Sequence, residues 1–277
     1  MYFIAEIGQN HNGSLETAKQ LVDSLEGSGV MAIKTAKRDI ASFPESWKTT
    51  PYENEHSFGK TYYEHRCALE LSNEDFISFA RYVESKGFDF ISSFTDIPSF
   101  HFLYRYVKPK YYKIASSRVV DIPLLQEVAL YNVDTILSTG MSTLEEIDTA
   151  VKMLIPKVIM QCTSAYPTRY EDINLDVICE YWERYGEHIE EVGFSGHHLG
   201  IFPDIIAYSL GATWIERHYT LDRDMVGTDH KLSLVRSEID ELMRQVDIVD
   251  SIIGTSKKTV LESEKGTINK LRSDLHI

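Results

Sequence analysis

The feature that most constrains the fold is a repeated alternation of short apolar runs with longer amphipathic segments. Eight apolar runs follow one another along the chain, at 2–8, 30–36, 88–94, 110–116, 133–139, 157–163, 191–196 and 213–218. Short runs that are almost continuously apolar are typical of strands in a parallel sheet that is covered on both faces. Eight strand–helix units in succession predict an α/β protein with a single-domain (β/α)8 TIM barrel over residues 1–277.

An open, doubly wound sheet would produce the same alternation of strands and helices. Such sheets usually carry a G-x-G-x-x-G motif after their first strand, where a dinucleotide binds. Here the first run continues into Gln-Asn-His-Asn-Gly (9–13), which lacks that spacing. The barrel is therefore favoured, and a chain of 277 residues is long enough to form it.

The net charge argues against one class of partner, and the cysteine pattern indicates the cellular compartment. The formal net charge of −14 argues against nucleic acid, since that binding depends on cationic contacts to phosphate. Three widely spaced cysteines, Cys67, Cys162 and Cys179, form no C-x-x-C pair and are typical of a reducing cytosol. The first residues, Met-Tyr-Phe-Ile-Ala-Glu, lack the basic and long apolar pattern that is typical of a signal peptide, and no apolar stretch approaches the ~20 residues of a membrane span. We expect a cytoplasmic protein that binds neither nucleic acid nor a membrane.

One connection is much longer than the others. Residues 37–71 separate the second strand from the helix that should follow it, whereas most strand-to-helix connections are short. The segment is too rich in aromatic residues for a disordered linker. It is interpreted as a lid over the mouth of the barrel, in preference to an ordinary surface loop.

Polar or ionisable side chains occur where nearly every strand should end. Such residues are Glu6, Lys34, Ser92, Ser93, Lys113, Ser116, Ser138, Thr139, Gln161, Thr163, Ser164, Ser195, His197, His198, Glu216 and His218. The active sites of barrels of this kind lie at the carboxyl ends of the strands. Any one of these side chains would more often be a hydrogen-bonded structural residue than a catalytic one. Their convergence on one rim favours a functional site.

The residue types on this rim indicate two kinds of ligand. Lysines and hydroxyls suit a phosphate or carboxylate, and imidazoles from neighbouring strands suit a divalent metal such as Mn²⁺, Zn²⁺ or Co²⁺. His197 and His198 are adjacent, so in an extended segment they point to opposite faces. Only one of them can enter the barrel mouth, and the spacing leaves open which one does.

Several motifs together resemble the sialic acid synthase family. They are EIGQNHNG (6–13), KIASS (113–117), LSTGMSTLEE (137–146), QCTSAYP (161–167), FSGHH (194–198) and IERHYTLD (215–222), and the similarity extends from about residue 3 to residue 275. Members of this family condense phosphoenolpyruvate with a hexose-derived sugar to give a nine-carbon 2-keto acid. The resemblance therefore implies a phosphoenolpyruvate-dependent transferase that forms a C–C bond.

The resemblance also implies roles for individual residues. His197 and His218 would bind a divalent metal, most readily Mn²⁺, with Mg²⁺ or Co²⁺ as alternatives. The phosphoenolpyruvate and sugar contacts would be Lys34, Ser93, Lys113, Ser116, Ser138, Ser164 and Ser195, with Tyr166, Asp229 and Arg118 toward the sugar. Glu6 would be the catalytic carboxylate, acting with His218 and Asp229. Glu216 and Arg217 are expected to be structural or supporting residues.

The chain departs from the family in several places. Ala36 stands where a glutamine is common, and Arg118 stands where bacterial members have an acid. Family members continue beyond the point where this resemblance ends, into a small antifreeze-like domain. We expect residues 262–277 to form a C-terminal tail and that domain to be absent. The resemblance also implies a homodimer.

Two other functions remain open from the residues alone. Lys113 or Lys34 would suit an aldolase that forms a Schiff base with its substrate. A barrel that binds a sugar or a partner without turning it over would retain much of the same rim.

Overall fold

The computed structural model describes residues 1–273, in which eight parallel strands close into a barrel in sequential order. The strands are β1 (Tyr2–Gly8), β2 (Ala32–Lys37), β3 (Asp89–Phe94), β4 (Tyr111–Ile114), β5 (Thr135–Ser138), β6 (Val158–Cys162), β7 (Glu191–Gly196) and β8 (Trp214–His218). The last strand pairs with the first, with Glu6 opposite His218. The prediction of a (β/α)8 barrel is confirmed.

Helices surround the barrel and alternate with the strands. They are α1 (Leu15–Asp23), α2 (Tyr62–Leu69), α3 (Asn73–Ser85), α4 (Ile97–Phe102), α5 (Ile122–Ala129), α6 (Leu144–Leu154), α7 (Val177–Tyr185), α8 (Phe202–Ser209), α9 (Arg236–Ile253) and α10 (Lys265–Leu271). Ser14 and Ser72 cap α1 and α3 by accepting a backbone N–H, and Thr143 forms a capping box with Glu146 at the start of α6. These caps stabilise the helix starts that the sequence indicates.

The interior of the barrel changes from apolar to polar along the strands. Its lower layer is filled by Ile4, Ala32, Ile91, Ile136, Val158, Met160 and Trp214. Because side chains alternate along a strand, the next inward position is two residues further on. That position holds Glu6 after Ile4, Lys34 after Ala32 and Glu216 after Trp214. The same register therefore builds an apolar lower layer and places charged groups above it.

The lid, residues 37–71, is an ordered segment. It contains two short 3₁₀ turns and helix α2, and the sequence pattern does not predict that helix. Thr61 and Glu64 start that helix with a capping box. Aromatic side chains hold the lid together, with ring centroids 4.6 Å apart for Trp47 and Tyr62 and 4.5 Å apart for Tyr52 and His65.

The C-terminal segment that was expected to form a tail contains helix α10, Lys265–Leu271. The last four residues of that expected tail, 274–277, lie outside the described residues. Within residues 1–273, no helix combines the length and apolar character needed to cross a membrane.

Candidate active site

A cavity of about 510 Å³ opens at the carboxyl ends of the strands. Its lining includes all the predicted site residues except Arg118, namely Glu6, Lys34, Ser93, Lys113, Ser116, Ser138, Ser164, Tyr166, Ser195, His197, His218 and Asp229. The lid contributes Arg38 and Tyr52, and the segment after β8 contributes Thr228. The fold thus gathers side chains from the whole sequence around one space.

The floor of the cavity is a buried cluster of two lysines and two glutamates. Lys113 Nζ lies 2.6 Å from Glu216 Oε2, and Lys34 Nζ lies 3.5 Å from Glu216 Oε1. Lys34 also forms an ion pair with Glu6. The formal charges of these groups balance, which is what allows four ionisable side chains to remain together inside a protein.

The two lysines differ in their pKa. Burial lowers the pKa of Lys113, and its contact with Glu216 only partly opposes that effect. Burial also acts to lower the pKa of Lys34, but the carboxylates of Glu216 and Glu6 outweigh it, and the pKa is raised. Both lysines hold the pKa of Glu216 below its ordinary value, although burial acts in the opposite direction. Glu216 is therefore an ionised carboxylate between two amines.

Glu216 has a larger place in the site than the sequence interpretation gave it. It was expected to be structural or supporting, yet it lines the cavity and contacts both lysines. It also accepts a hydrogen bond from Ser195 Oγ over 3.3 Å. Period-two alternation would have identified it, since Glu216 lies two residues before His218 and must share its face of β8.

Hydroxyl groups surround the lysines. Ser138 Oγ is buried and has no hydrogen-bond partner among residues 1–273, while Ser116 Oγ accepts from the backbone N–H of Gly140 at 3.0 Å. A Cβ on Gly140 would lie 2.2 Å from Ser164 Oγ. A glycine at this position therefore keeps the hydroxyl-lined side of the cavity open.

The imidazoles of His197 and His218 face each other, with ring centroids 5.4 Å apart. Nδ1 of His197 lies 3.1 Å from the carbonyl oxygen of Thr163. A carbonyl can only accept, so Nδ1 carries the proton and Nε2 keeps its lone pair. Burial, with a contribution from His218, lowers the pKa of His197 to about 3. His197 is therefore a neutral imidazole.

His218 is less completely satisfied by the protein. Its Nδ1 is buried without a hydrogen-bond partner in the described part of the chain, and the nearest carboxylate oxygen, Asp229 Oδ2, is 3.7 Å away. Asp229 is held by Gln9 and Thr228. The ring of Tyr166 packs against His197 with centroids 4.2 Å apart.

His198 points to the opposite side of the same segment. It is fully buried, and its ring stacks on Phe194 at 5.7 Å. Arg217 donates to the carbonyl oxygens of His198 and Gly200 at 2.6 and 2.8 Å and forms an ion pair with Asp204. The structure therefore places His197 in the cavity and assigns His198 to a closed cluster behind it, as the resemblance had implied.

Arg118 does not belong to the cavity lining. Its Nη1 lies 3.2 Å from Asp121 Oδ2, and its side chain is 37% exposed. The short 3₁₀ turn Ser116–Arg118 explains this, because it places Ser116 and Ser117 at the cavity and turns the next residue outward.

The fold and the cavity define a (β/α)8-barrel enzyme with its site at the carboxyl ends of the strands. The chain belongs to the NeuB family, whose model matches residues 21–258. It is 36% identical to N-acetylneuraminate-9-phosphate synthase of Homo sapiens, over 98% of this chain and 76% of that protein. It is 34% identical to N,N'-diacetyllegionaminic acid synthase of Legionella pneumophila, over 95% of this chain and 76% of that protein.

A solved structure gives the same result. The N-acetylneuraminic acid synthetase of Leptospira borgpetersenii, crystallised with citrate, superposes with a TM-score of 0.84 at 28% identity, covering 99% of this chain and 92% of that one. Membership in the sialic acid synthase family is thereby confirmed. The predicted class of enzyme, a phosphoenolpyruvate-dependent transferase, is confirmed with it.

Proposed function

We propose that this protein catalyses a metal-dependent condensation of phosphoenolpyruvate with an open-chain aldose. The products would be a 2-keto-3-deoxy sugar acid of the sialic acid type and inorganic phosphate. The observation that carries the proposal is the shared cavity, in which the buried lysine pair lies beside the facing imidazoles of His197 and His218. An anion and a polarised aldehyde would thus be held side by side.

The lysine end of the cavity suits phosphoenolpyruvate. Lys34 and Lys113 supply positive charge, and hydroxyl groups from Ser93, Ser116, Ser138, Ser164 and Ser195 supply hydrogen bonds. The hydroxyl of Ser138, which has no partner among the residues that the structure describes, would be available to a ligand. An incoming phosphate or carboxylate would replace the glutamate carboxylates next to the two lysines. Ammonium groups form strong, charge-assisted hydrogen bonds with such anions.

The imidazole end fits a divalent metal. His197 is neutral and keeps a lone pair on Nε2, and His218 has a buried nitrogen without a partner among the described residues. No group of three or more His, Cys, Asp or Glu side chains within residues 1–273 forms a complete metal site. The two imidazoles would hold the ion, leaving positions for substrate and water. Mn²⁺ suits such mixed nitrogen and oxygen ligands, with Mg²⁺ or Co²⁺ as alternatives.

The bound metal would supply Lewis-acid polarisation of the aldehyde oxygen. The chain's own residues would perform the remaining tasks. Lys34 and Lys113 orient phosphoenolpyruvate so that its C3 forms the new bond to the aldehyde carbon, which leaves positive character at C2. Water adds at C2 and gives up one proton, for which Glu6 is the nearby carboxylate, while the former aldehyde oxygen takes up a proton and becomes a hydroxyl. The C2–O bond to phosphate then breaks as the new C2 hydroxyl loses its remaining proton to the departing phosphate, which yields the 2-keto group and inorganic phosphate.

Tyr166 and Asp229 lie where the rest of the sugar would extend. Both line the cavity beside the imidazoles, and Tyr166 is 57% exposed. The names of the relatives describe synthases of N-acetylneuraminate 9-phosphate and of diacetyllegionaminic acid. A related acylated amino sugar, with or without phosphate, is the acceptor class that these names support.

Phosphate release tests the proposal. Purified protein, Mn²⁺ and phosphoenolpyruvate are mixed with a panel of hexoses, N-acylhexosamines and their phosphates. We expect inorganic phosphate and a 2-keto acid with at least one sugar, and none with Lys113→Met. Binding of phosphoenolpyruvate and metal by calorimetry without turnover on any sugar would instead favour a binding protein.

The lowered pKa of Lys113 makes a Schiff-base aldolase the second candidate. An amine of lowered pKa is a better nucleophile, but this one is held by Glu216 at 2.6 Å. Borohydride treatment in the presence of pyruvate separates the two mechanisms. We expect no covalent adduct by mass spectrometry, and an adduct on Lys113 would support the aldolase.

We further propose that the enzyme is a cytoplasmic homodimer. The unpaired thiols of Cys67, Cys162 and Cys179 support a reducing compartment, and the family resemblance supports the dimer. Light scattering coupled to size-exclusion chromatography tests the dimer through the molar mass, for which a single chain contributes 31.8 kDa.

A further inference from the structure

Arg66 of helix α2 places a buried positive charge beside the cavity. Arg66 is 5% exposed, and its Nε is buried without a hydrogen-bond partner among residues 1–273. Burial, together with the charge of Arg38, lowers the pKa of Arg66 to about 10. A buried guanidinium is costly to maintain. Within the described part of the chain it has one side-chain hydrogen bond, from Nη1 to Gln9 Oε1 at 2.5 Å, and this contact indicates where it acts.

Gln9 connects this arginine to the acid at the mouth of the barrel. While Oε1 accepts from Arg66, Nε2 donates to Asp229 Oδ2 over 3.2 Å and to Thr228 Oγ1 over 3.3 Å. A guanidinium can only donate, and an ionised carboxylate can only accept. A glutamine between the two has one favourable orientation, and Arg66 stabilises it by occupying the amide oxygen.

Asp229 is consequently held at both oxygens. Oδ2 accepts from Gln9, and Oδ1 accepts from Thr228 Oγ1 over 2.8 Å. Oδ2 also lies 3.7 Å from Nδ1 of His218. The carboxylate that faces the candidate sugar position is therefore linked to a residue of the lid through a single intervening side chain.

We propose that Arg66 is a positioning residue that acts through Gln9 to orient the carboxylate of Asp229 toward the acceptor sugar. The inference rests on the proposed function insofar as the ligand of Asp229 is a sugar. Among residues 1–273, Arg66 forms no hydrogen bond with the lysine cluster or with the hydroxyls around it. The influence of Arg66 is thus confined to the acceptor end of the cavity. Because Arg66 belongs to the lid, the hydrogen-bonded path to Asp229 is complete only when the lid packs against the barrel.

Steady-state kinetics of Arg66→Met test the inference, with the sugar from the panel that wild type turns over best. We expect the acceptor KM to rise about tenfold, consistent with the loss of a charged hydrogen bond, and kcat to fall. The phosphoenolpyruvate KM should stay within about twofold. Arg81→Met is the matched control, since Arg81 is exposed on the neighbouring helix α3 and its replacement should change neither constant. Equal weakening of both substrates by Arg66→Met would overturn the inference.

A double-mutant cycle separates positioning from general support of the lid. In an Asp229→Asn background, Arg66→Met should change the acceptor KM by less than about twofold, because both substitutions break the same path. Additive losses would overturn the inference. Gln9→Leu, which keeps Arg66 and Asp229 but removes the amide between them, should reproduce the kinetics of Arg66→Met.

A crystal structure of substrate-free Arg66→Met supplies a readout that does not depend on turnover. We expect the Gln9 amide to rotate and the Asp229 carboxylate to leave its present position; an unchanged Asp229 would overturn the inference. If wild-type protein releases no phosphate with any sugar, the proposed function fails, while this comparison still decides whether Arg66 positions Asp229.

Discussion

Two neighbouring clusters at the ends of β7 and β8 use the same kinds of residue for different purposes. On the inner side, His197, Glu216 and His218 line an open cavity, and Nδ1 of His218 has no hydrogen-bond partner among residues 1–273. On the outer side, His198 and Arg217 are closed around Asp204 without access to solvent. Burial and charge alone do not distinguish a functional cluster from a structural one. What distinguishes them is whether the polar groups converge on open space.

Removing a ligand from the inner cluster should have the largest effect. His218→Ala removes one of the two proposed metal ligands, so we expect Mn²⁺ binding to be lost. Turnover should fall by on the order of 10³-fold or more, because metal polarisation contributes several kcal/mol. Calorimetric titration with Mn²⁺ and the phosphate-release assay measure these losses. His188→Ala, at an exposed position, is the control, and undiminished Mn²⁺ affinity in His218→Ala would contradict the assignment.

Breaking the outer cluster should reduce stability while metal binding remains. Asp204→Asn leaves the fully buried guanidinium of Arg217 without its carboxylate, and such a change costs about 3–5 kcal/mol in the free energy of unfolding. Urea denaturation measures that cost. Asp240→Asn breaks an exposed ion pair with Arg236 on helix α9 and should cost less than about 1 kcal/mol. Equal losses in the two variants would show that the outer cluster contributes no more to stability than an exposed ion pair.

Acid should destabilise both clusters through their histidines. Burial lowers the pKa of His198, and it lowers the pKa of His197 to about 3. Below the unfolded pKa of about 6.5, the unfolded chain binds protons that the folded chain excludes, so stability falls as pH falls. For His197 the loss at pH 5 is about 2 kcal/mol. Denaturation curves at pH 7 and pH 5, in the presence of a chelator, should show a smaller difference for His197→Gln than for wild type, whereas His188→Gln should match wild type.

Arg118→Ala should have the smallest effect. The side chain lies outside the cavity lining and pairs with Asp121 at 3.2 Å. Exposed pairs of this kind contribute about 0–1 kcal/mol, so turnover and both KM values should stay within about twofold of wild type. A rise of tenfold in the acceptor KM would restore Arg118 to the substrate contacts that the resemblance implied.

Much of the fold and part of the site could be predicted because both follow from local pattern. Each apolar run became a strand, and each strand ended near the polar group that the sequence placed there. Alternation alone predicted that His197 and His198 would diverge, but it could not say which one would face inward, because that depends on where β7 ends and turns.

Other features depend on distances between remote parts of the chain. The contact between Glu216 and Lys113 spans 103 residues, and that between Arg66 and Gln9 spans 57. Neither contact has a local sequence signal, although period-two alternation would have placed Glu216 on the same face as His218. Helix α2 was not predicted because the sequence around it has no clear helical periodicity. The capping box formed by Thr61 and Glu64 was the signal that could have identified the start of this helix.

The contact of Glu216 with both lysines has a consequence for selectivity. A ligand that enters the floor of the cavity must compete with a carboxylate that already occupies the ammonium groups. The apparent affinity of the ligand is therefore the difference between its own attraction to the lysines and that of the Glu216 carboxylate. A monoanion such as pyruvate carries the same charge as Glu216 and gains little from replacing it. A ligand that carries several negative charges is attracted to the two lysines strongly enough to displace the Glu216 carboxylate. The net charge of a ligand therefore contributes to selectivity at this position, in addition to its shape.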